Sequence, residues 1–360
     1  MNMKQQIVIS KHFKSDLASS IAECERDKIF VLVDTNTHNT CWPLIQDYFS
    51  LKNAIVITIE ASDAHKDLQS LCHVWECLEA GKATRHSLLI NLGGGMVTDL
   101  GGFAASTFKR GINFINIPTT LLAMVDASVG GKTGINFGGL KNEIGVFNEA
   151  SCVLLNMRWL RSLDAENLRS GYAEMLKHGL ISNEATWAEL IKMDLSDPNL
   201  DALADMVGTS VKVKENFVTK DPHEHGIRKA LNFGHTFGHA LEEWSLHRTE
   251  TSQTDNRIKP LLHGYAIAFG LICELYLSAI KTGFPTEQMH QTINFIRQYY
   301  GQVDITCDDY AQLIDLMHHD KKSTSGELNA TLLSNIGKIN INQTITEEEA
   351  KDAFDFLREG

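Results

Sequence analysis

Short apolar runs separated by segments of helical period mark the first half of the chain. The runs are rich in β-branched residues and nearly continuous in hydrophobicity, as parallel strands buried on both faces are. They lie at 28–33, 54–59, 87–92 and 114–117. A stretch of helical spacing at 66–78 lies between the second and third runs. Strands that alternate with helices predict βαβ units and a parallel sheet.

Longer helical patterns replace the strand-like runs after about residue 156. Apolar residues recur at helical spacing over 167–180, 200–218, 234–244 and 264–280. The polar stretch 247–259 is predicted to be a surface loop between two helices. A last helix is expected to begin at Thr346, because glutamates follow it where the helix dipole favours acids. We therefore expect two domains, 1–157 and 158–360, which suits a chain of 360 residues.

Charge and composition exclude several classes of function. A net charge of −12 argues against nucleic acid as a partner, because its phosphate backbone needs a basic face. The N-terminus lacks the pattern of a signal peptide, and Glu274 interrupts the most apolar stretch, 266–280, which we interpret as a buried helix. The seven cysteines form no C-x-x-C pair, which favours reduced thiols. We expect a soluble, cytoplasmic protein that does not bind membranes.

Glycines follow the third predicted strand directly. Gly93, Gly94 and Gly95 precede a predicted helix that contains Asp99. Such a turn lets a backbone approach a phosphate at the helix N-terminus. The spacing is not G-x-G-x-x-G, so a tight turn with positive φ angles is an equally good interpretation.

The segment 118–142 combines many glycines with hydroxyl, acidic and basic side chains. Lys132 follows a pair of glycines, and lysine in that position is a natural contact for an anion. We interpret the segment as a loop that wraps a ligand. A flexible surface loop explains it less well, because the apolar run LLAMV predicts packing.

Histidines and carboxylates in the second half are candidate metal ligands. His235 and His239 stand four apart on one predicted helix, and His263 begins the next. Two imidazoles at this spacing, with a third ligand from another helix, form an open catalytic site. Spacing alone therefore favours His235 and His239 as ligands.

Charged residues nearby allow two interpretations. Glu174, Lys177 and His178 share one face of a predicted helix, and from spacing alone an exposed ion pair beside a surface histidine is the better explanation. Three other cations suit an anionic substrate or are plain solvated surface: Arg110, Lys214 and Arg228.

Together these segments resemble the 3-dehydroquinate synthases, a family of sugar-phosphate cyclases. The resemblance covers about 62–338 and rests on the motifs GGGMVTDLGGF, FKRG, PTTLLAMVDASVGGKTGINFGGLKN, GYAEMLKHGLI, RKALNFGHTFGHA and DKK. It implies an N-terminal Rossmann-like parallel-sheet domain, a C-terminal all-helical metal-binding domain, and an active site in the cleft between them. It also implies bound NAD, zinc with cobalt as a substitute, and a homodimer.

The resemblance assigns roles to individual residues. The metal ligands become Glu174, His235 and His263, and His239 becomes a substrate-binding acid/base residue. Cofactor-binding positions are Asp63, Lys66, Gly93, Gly94, Gly95, Asp99, Thr119, Thr120, Asp126, Lys132, Lys141 and Ser162. Catalytic and substrate-binding positions also include Asp126, Lys132, Asn142, Lys177, Lys214, Glu224, Arg228, Asn232 and Lys321 or its neighbour Lys322, with Arg110 reaching across the dimer interface.

The sequence departs from the family pattern at two places. Tyr265 follows the His-Gly of the metal site, where many members have glutamate. Ser62 and Asp63 replace the usual Gly-Glu, which shortens an acid expected to contact the cofactor ribose.

The resemblance implies one reaction and leaves alternatives. A seven-carbon sugar acid, 3-deoxy-arabino-heptulosonate 7-phosphate, would be oxidised at C5 by NAD, lose phosphate by β-elimination, be reduced again, and close by an internal aldol step. The alternatives are another sugar-phosphate cyclase, such as a 2-deoxy-scyllo-inosose synthase, a metal-dependent polyol dehydrogenase, or a non-catalytic binding protein.

Overall fold

The computed structural model describes residues 5–251, 259–319 and 328–360. The chain divides into two compact units, Met1–Asp164 and Ala165–Gly360.

A six-stranded parallel sheet forms the centre of the first unit. In chain order, the strands of this unit are β1 (Gln6–Ile9), β2 (Ile29–Asp34), β3 (Ile55–Ile59), β4 (Leu88–Gly93), β5 (Asn113–Pro118), β6 (Lys132–Phe137), β7 (Leu140–Phe147) and β8 (Cys152–Leu155). Strands β6 and β7 form a separate hairpin, and the other six form the sheet. The order in the sheet is β1-β8-β5-β4-β2-β3, and its pairings are parallel. All of β4 is buried, so both faces of the sheet are covered there. The predicted parallel sheet is confirmed.

Four helices accompany these strands: α1 (Phe13–Glu23), α2 (Thr35–Thr40), α3 (Leu68–Ala80) and α4 (Gly95–Thr107). The chain order reverses between β2 and β4, because β3 lies beyond β2 on one side and β5 lies beyond β4 on the other. Open parallel sheets bind ligands at the carboxyl ends of strands beside such a reversal. The turn from β4 into α4 is therefore the first place to look for a ligand site.

The prediction that segment 118–142 is a loop is wrong, because most of it has regular structure. Its first part is a π-helical turn, Ala123–Ala127, and its second part is the antiparallel β6–β7 hairpin. Gly138 and Gly139 join the two strands with φ angles of 61° and 83°, as a tight hairpin turn requires. The glycines therefore serve the hairpin, while the predicted packing of the LLAMV run is confirmed by the burial of Leu121, Met124 and Val125.

Helices dominate the second unit: α5 (Ala165–Ser182), α6 (Glu184–Leu190), α7 (Leu200–Lys220), α8 (His235–Thr251), α9 (His263–Thr282), α10 (Thr286–Tyr300), α11 (Tyr310–His319) and α12 (Glu347–Glu359). Thr346 caps α12 as predicted, because its side chain accepts the backbone N–H of Glu349. The predicted loop 247–259 begins too early, since α8 continues to Thr251; residues 252–258 lie outside the described part.

One β-hairpin accompanies these helices and is absent from the predicted elements. It consists of the antiparallel strands β9 (Leu328–Asn335) and β10 (Lys338–Ile345). Among the described residues, only α9 is long and apolar enough to cross a membrane. Within it, 72% of the most apolar window is buried, as in the core helix of a soluble protein.

Candidate active site

Three side chains from separate helices converge in the second unit. Glu174 comes from α5, while His235 and His263 are the first residues of α8 and α9. Oε1 of Glu174 lies 3.5 Å from Nε2 of His235 and 3.4 Å from Nε2 of His263. Donors about 2.1 Å from a tetrahedral zinc lie roughly 3.4 Å apart, so this spacing suits one shared cation.

Both imidazole rings are held by their other nitrogen. Nδ1 of His263 lies 3.0 Å from Oε2 of Glu242, and Nδ1 of His235 lies 3.2 Å from the carbonyl oxygen of Phe233. These contacts leave each Nε2 directed at Glu174, which is how protein metal sites orient their histidines. Glu242 is not among the predicted site residues, although it follows His235 by seven residues and therefore shares its helix face.

The electrostatics favour positive charge between these groups. Burial lowers the pKa of His263, but the carboxylates of Glu242 and Glu174 outweigh that effect and raise it to about 10. Surroundings that retain a proton on an imidazole so firmly also favour a cation in the same place. The residues present therefore fit a divalent metal.

His239 lies beside this group and outside it. Its ring centroid is 5.1 Å from that of His235 and 6.1 Å from that of His263. Glu174, His235 and His263 form a group whose ligand atoms all lie within 4.8 Å of one another, and His239 does not belong to it. The geometry thus brings together the three residues implied by the family resemblance. The group does not include His239, which spacing alone pairs with His235 as a ligand.

The helix face around Glu174 is buried. Glu174, Lys177 and His178 are 0%, 1% and 0% exposed, so the interpretation as a surface ion pair beside a surface histidine is wrong. Lys177 pairs with the carboxylate of Glu174, and Nδ1 of His178 lies 2.7 Å from Oγ of Ser210 on α7. A buried ammonium beside the metal group is a candidate contact for an anionic substrate.

The other predicted substrate residues of the second unit lie on α7 and on the segment before α8. Lys214 and Arg228 are buried, at 7% and 2% exposure, and Arg228 donates to the carbonyl of Pro222. Asn232 donates its amide to Glu224 at 2.9 Å, which sets the direction of that side chain. Lys321 and Lys322 lie outside the described residues.

Tyr265, where the family resemblance leads us to expect glutamate, lies two residues after the metal-group residue His263. Its ring packs edge-on against Tyr300 at 5.0 Å between centroids. The neighbouring Gly264 donates its N–H to Ser170 of α5, one turn before Glu174. That contact joins the start of α9 to the helix that carries the carboxylate.

In the first unit, glycines and hydroxyls meet at the carboxyl ends of β4 and β5. Gly93 ends β4, Gly94 caps α4, and the N–H of Thr119 donates to the carbonyl of Gly93 at 2.9 Å. A Cβ on Gly94 would lie 3.2 Å from Thr120. Gly94 has a φ of −73°, and none of the three glycines has a positive φ. The turn therefore uses glycine for close approach, and the positive-φ interpretation is wrong.

A second group of predicted cofactor residues is connected through Lys66. The ammonium of this buried lysine contacts Asp99 at 3.2 Å, the amide oxygen of Asn142 at 2.6 Å and Asp63 at 3.5 Å. Lys141 contacts Asp63 at 3.6 Å. The shorter acid Asp63 therefore still reaches both lysines. Burial raises the pKa of Asp99 to about 6, although the ammonium of Lys66 opposes it.

Four predicted residues of the first unit lie outside these two groups. Asp126 belongs to the π-helical turn, and Lys132 begins β6. Arg110 is exposed after α4 with a φ of 68°. Ser162 is exposed, and its hydroxyl donates to the carbonyl of Trp159 in its own turn.

A parallel α/β unit followed by a helical unit is a fold that solved sugar-phosphate cyclases also have. Within that class, the chain belongs to the 3-dehydroquinate synthase family. The models described as 3-dehydroquinate synthase N-terminal and C-terminal match residues 56–170 and 171–323. The resemblance drawn from the sequence is thereby confirmed.

Individual relatives agree with this membership. The 3-dehydroquinate synthase of Parabacteroides distasonis is 49% identical over 356 residues, which cover 99% of this chain and 98% of that protein.

Two solved cyclases share the fold. The 2-epi-5-epi-valiolone synthase of Streptomyces hygroscopicus, with NAD+ and Zn2+ bound, has a TM-score of 0.83, 22% identity, and coverage of 99% and 97%. A 2-deoxy-scyllo-inosose synthase complexed with carbaglucose-6-phosphate, NAD+ and Co2+ has a TM-score of 0.82, 21% identity, and coverage of 98% and 96%.

Proposed function

We propose that this chain converts 3-deoxy-arabino-heptulosonate 7-phosphate to 3-dehydroquinate and phosphate, a step of the shikimate pathway to aromatic amino acids. The observation that carries the proposal is the group of Glu174, His235 and His263, whose ligand atoms lie within 4.8 Å of one another beside the buried ammonium of Lys177. A relative that is 49% identical over nearly the whole chain carries the name of this enzyme.

NAD and a divalent cation, zinc or cobalt, are the cofactors of the proposed enzyme. Glu174, His235 and His263 hold the cation. The N–H groups of the Gly93–Gly95 turn suit the cofactor pyrophosphate, because a helix N-terminus favours anions. When bound, NAD supplies reversible hydride transfer and the cation supplies a Lewis acid for substrate oxygens.

The remaining residues orient the substrate and handle its charge. Lys177, Lys214 and Arg228 are buried cations, so their attraction for a carboxylate is weakly screened by water. Asn232, held by Glu224, donates to the substrate. His239, half-buried beside the metal group, moves a proton near the departing phosphate. The protein thus contributes mainly position and fixed charge.

Phosphate release from the heptulosonate phosphate, with and without a chelator, tests the proposal. We expect release that the chelator abolishes and that Zn2+ or Co2+ restores, with no net accumulation of NADH. Stoichiometric NADH would instead indicate a polyol dehydrogenase. His239→Ala is expected to lower turnover strongly while metal content stays unchanged; loss of the metal would make His239 a ligand.

We also infer a cytoplasmic homodimer. Arg110 is exposed and matches a family position that reaches across a dimer interface. The β7 strand offers a surface for a second copy, since its apolar residues Leu140, Ile144 and Val146 are 52%, 38% and 37% exposed.

A further inference from the structure

Glu274 is a carboxylate in the most apolar part of the second unit. It lies in the middle of α9 and is 0% exposed, between Cys273 and Leu275, which are equally buried. Burying a carboxylate is costly unless hydrogen bonds replace its water. A buried carboxylate at this position therefore needs hydrogen-bond donors in the protein to replace those of water.

Two backbone groups on either side of His235 donate to the Glu274 carboxylate. Oε2 accepts the N–H of Gly234 at 2.7 Å, and Oε1 accepts the N–H of Thr236 at 3.1 Å. These donors belong to the first turn of α8, where N–H groups lack partners within the helix and the dipole favours negative charge.

The backbone around His235 is built for this contact. Gly234 has a φ of +83°, and a Cβ on Gly270 of α9 would lie 2.0 Å from the carbonyl oxygen of Gly234. Glycine at both places lets the two helices approach closely enough for Glu274 to reach across. The hydroxyl of Thr236 also donates to the carbonyl of Asn329, which holds the far side of the turn.

We propose that Glu274 is a positioning residue for the metal ligand His235. By holding the N–H groups before and after His235, it fixes the Cα from which the imidazole projects. Nε2 of His235 then lies 3.5 Å from Oε1 of Glu174. This inference rests on the proposed metal site and adds a residue that does not touch the metal.

Ser278 provides a matched control on the same helix. It lies one turn after Glu274 and is 0% exposed. Its hydroxyl accepts the N–H of Leu333 at 2.9 Å and donates to the backbone carbonyl of Glu274 at 2.6 Å. Ser278→Ala therefore removes two buried side chain-to-backbone bonds from α9, but it leaves the bonds between the Glu274 carboxylate and the α8 turn intact.

The test is a titration of the purified full chain with Zn2+ and with Co2+ against a chromophoric chelator. Glu274→Gln keeps the length but turns an amide N–H2 toward one of the two backbone donors. We expect it to weaken metal binding about tenfold or more and to alter the visible spectrum of bound Co2+, as loss of contacts behind a ligand does. Ser278→Ala is expected to stay within about twofold of the unsubstituted protein.

The outcomes separate the two proposals. If the unsubstituted chain binds neither metal, the proposed metal site fails. If it binds and Glu274→Gln binds equally tightly with the same Co2+ spectrum, the positioning role alone fails. If Glu274→Gln does not fold, amide hydrogen exchange of the unsubstituted chain tests the positioning role instead. Protection of Gly234 and Thr236 without metal is expected, and protection that appears only after metal is added would overturn the inference.

Discussion

At the scale of single residues, the orientation of His263 depends on Glu242. We predict that Glu242→Ala weakens Zn2+ binding by about 10- to 100-fold, because the imidazole loses the partner that directs Nε2 at Glu174. Competition with a chelator measures the effect. Glu243→Ala removes the same charge from the next position of α8 and is the control. Equal losses in both variants would mean that overall charge, and not the contact, matters.

Asp99 offers a test of the cofactor-binding residues. Burial raises the pKa of this carboxyl to about 6, and the ammonium of Lys66 at 3.2 Å holds it below what burial alone would give. Lys66→Met removes that opposing charge, so the pKa of Asp99 is expected to rise further above 6. Carbon-13 NMR of the carboxyl group follows the titration.

Lys141→Met serves as its control, because Lys141 contacts Asp63 and its side chain is 43% exposed, so water screens its charge. A smaller rise is expected there. A fall in the pKa of Asp99 on loss of Lys66 would show that the ammonium does not stabilise the ionised carboxyl.

Which residues meet around a metal could be predicted only in part from local spacing. The i, i+4 pattern selected His235 and His239, because spacing identifies residues that share a face of one helix but not residues that meet from different helices. Glu174 reaches the site through the packing of α5 against α9, which no spacing reveals. Family motifs supplied the grouped set. Glu242 shares a helix face with His235, and Glu274 is an acid within an apolar stretch, but neither pattern shows which atoms these carboxylates contact once the helices pack.

At the scale of elements, the close contact between the start of α9 and α5 requires glycine at position 264. A Cβ there would lie 1.8 Å from the carbonyl oxygen of Ser170, one turn before Glu174. Gly264→Ala must push the start of α9 away, and His263 with it. We predict a loss of roughly 1–3 kcal/mol in the free energy of unfolding, together with weaker metal binding.

Gly337→Ala is the matched control for that change. Its Cβ would lie 2.3 Å from the carbonyl oxygen of Ser182, also on α5 but at the other end of the helix. Denaturant titration should show that both variants are destabilised, while chelator competition should show weaker metal binding only for Gly264→Ala. Unchanged metal affinity in Gly264→Ala would contradict the role given to this contact.

Most elements follow from hydrophobic period, and the exceptions have physical reasons. The strands β2, β3, β4 and β5 are apolar runs long enough to recognise, whereas β1 and β8 have four residues each and give no period. The β6–β7 hairpin was predicted as a loop because glycine is rare in strands. Here Gly134 and Gly145 face each other so closely that a Cβ on Gly145 would lie 2.1 Å from the carbonyl of Thr133.

At the scale of the whole molecule, the exposed side of β7 tests the inferred dimer. Ile144→Glu places a charge in the apolar row of Leu140, Ile144 and Val146, and we predict that it converts dimers to monomers in sedimentation velocity. Phe49→Glu, at an apolar position that is 84% exposed elsewhere in the first unit, should leave the dimer intact. A monomeric unsubstituted chain, or dissociation by Phe49→Glu alone, would contradict this surface.

The pairing of β1 with β8 has a consequence for how the protein is made. Gln6 pairs with Cys152, so β1 leaves the ribosome long before β8, its neighbour in the sheet, has been synthesised. At about 5–20 residues per second, that interval is roughly 7–30 s. During that interval the edge of β5 that later pairs with β8 stays open to chaperones or to other nascent chains, so the speed of synthesis and the supply of chaperones should influence the yield of this protein.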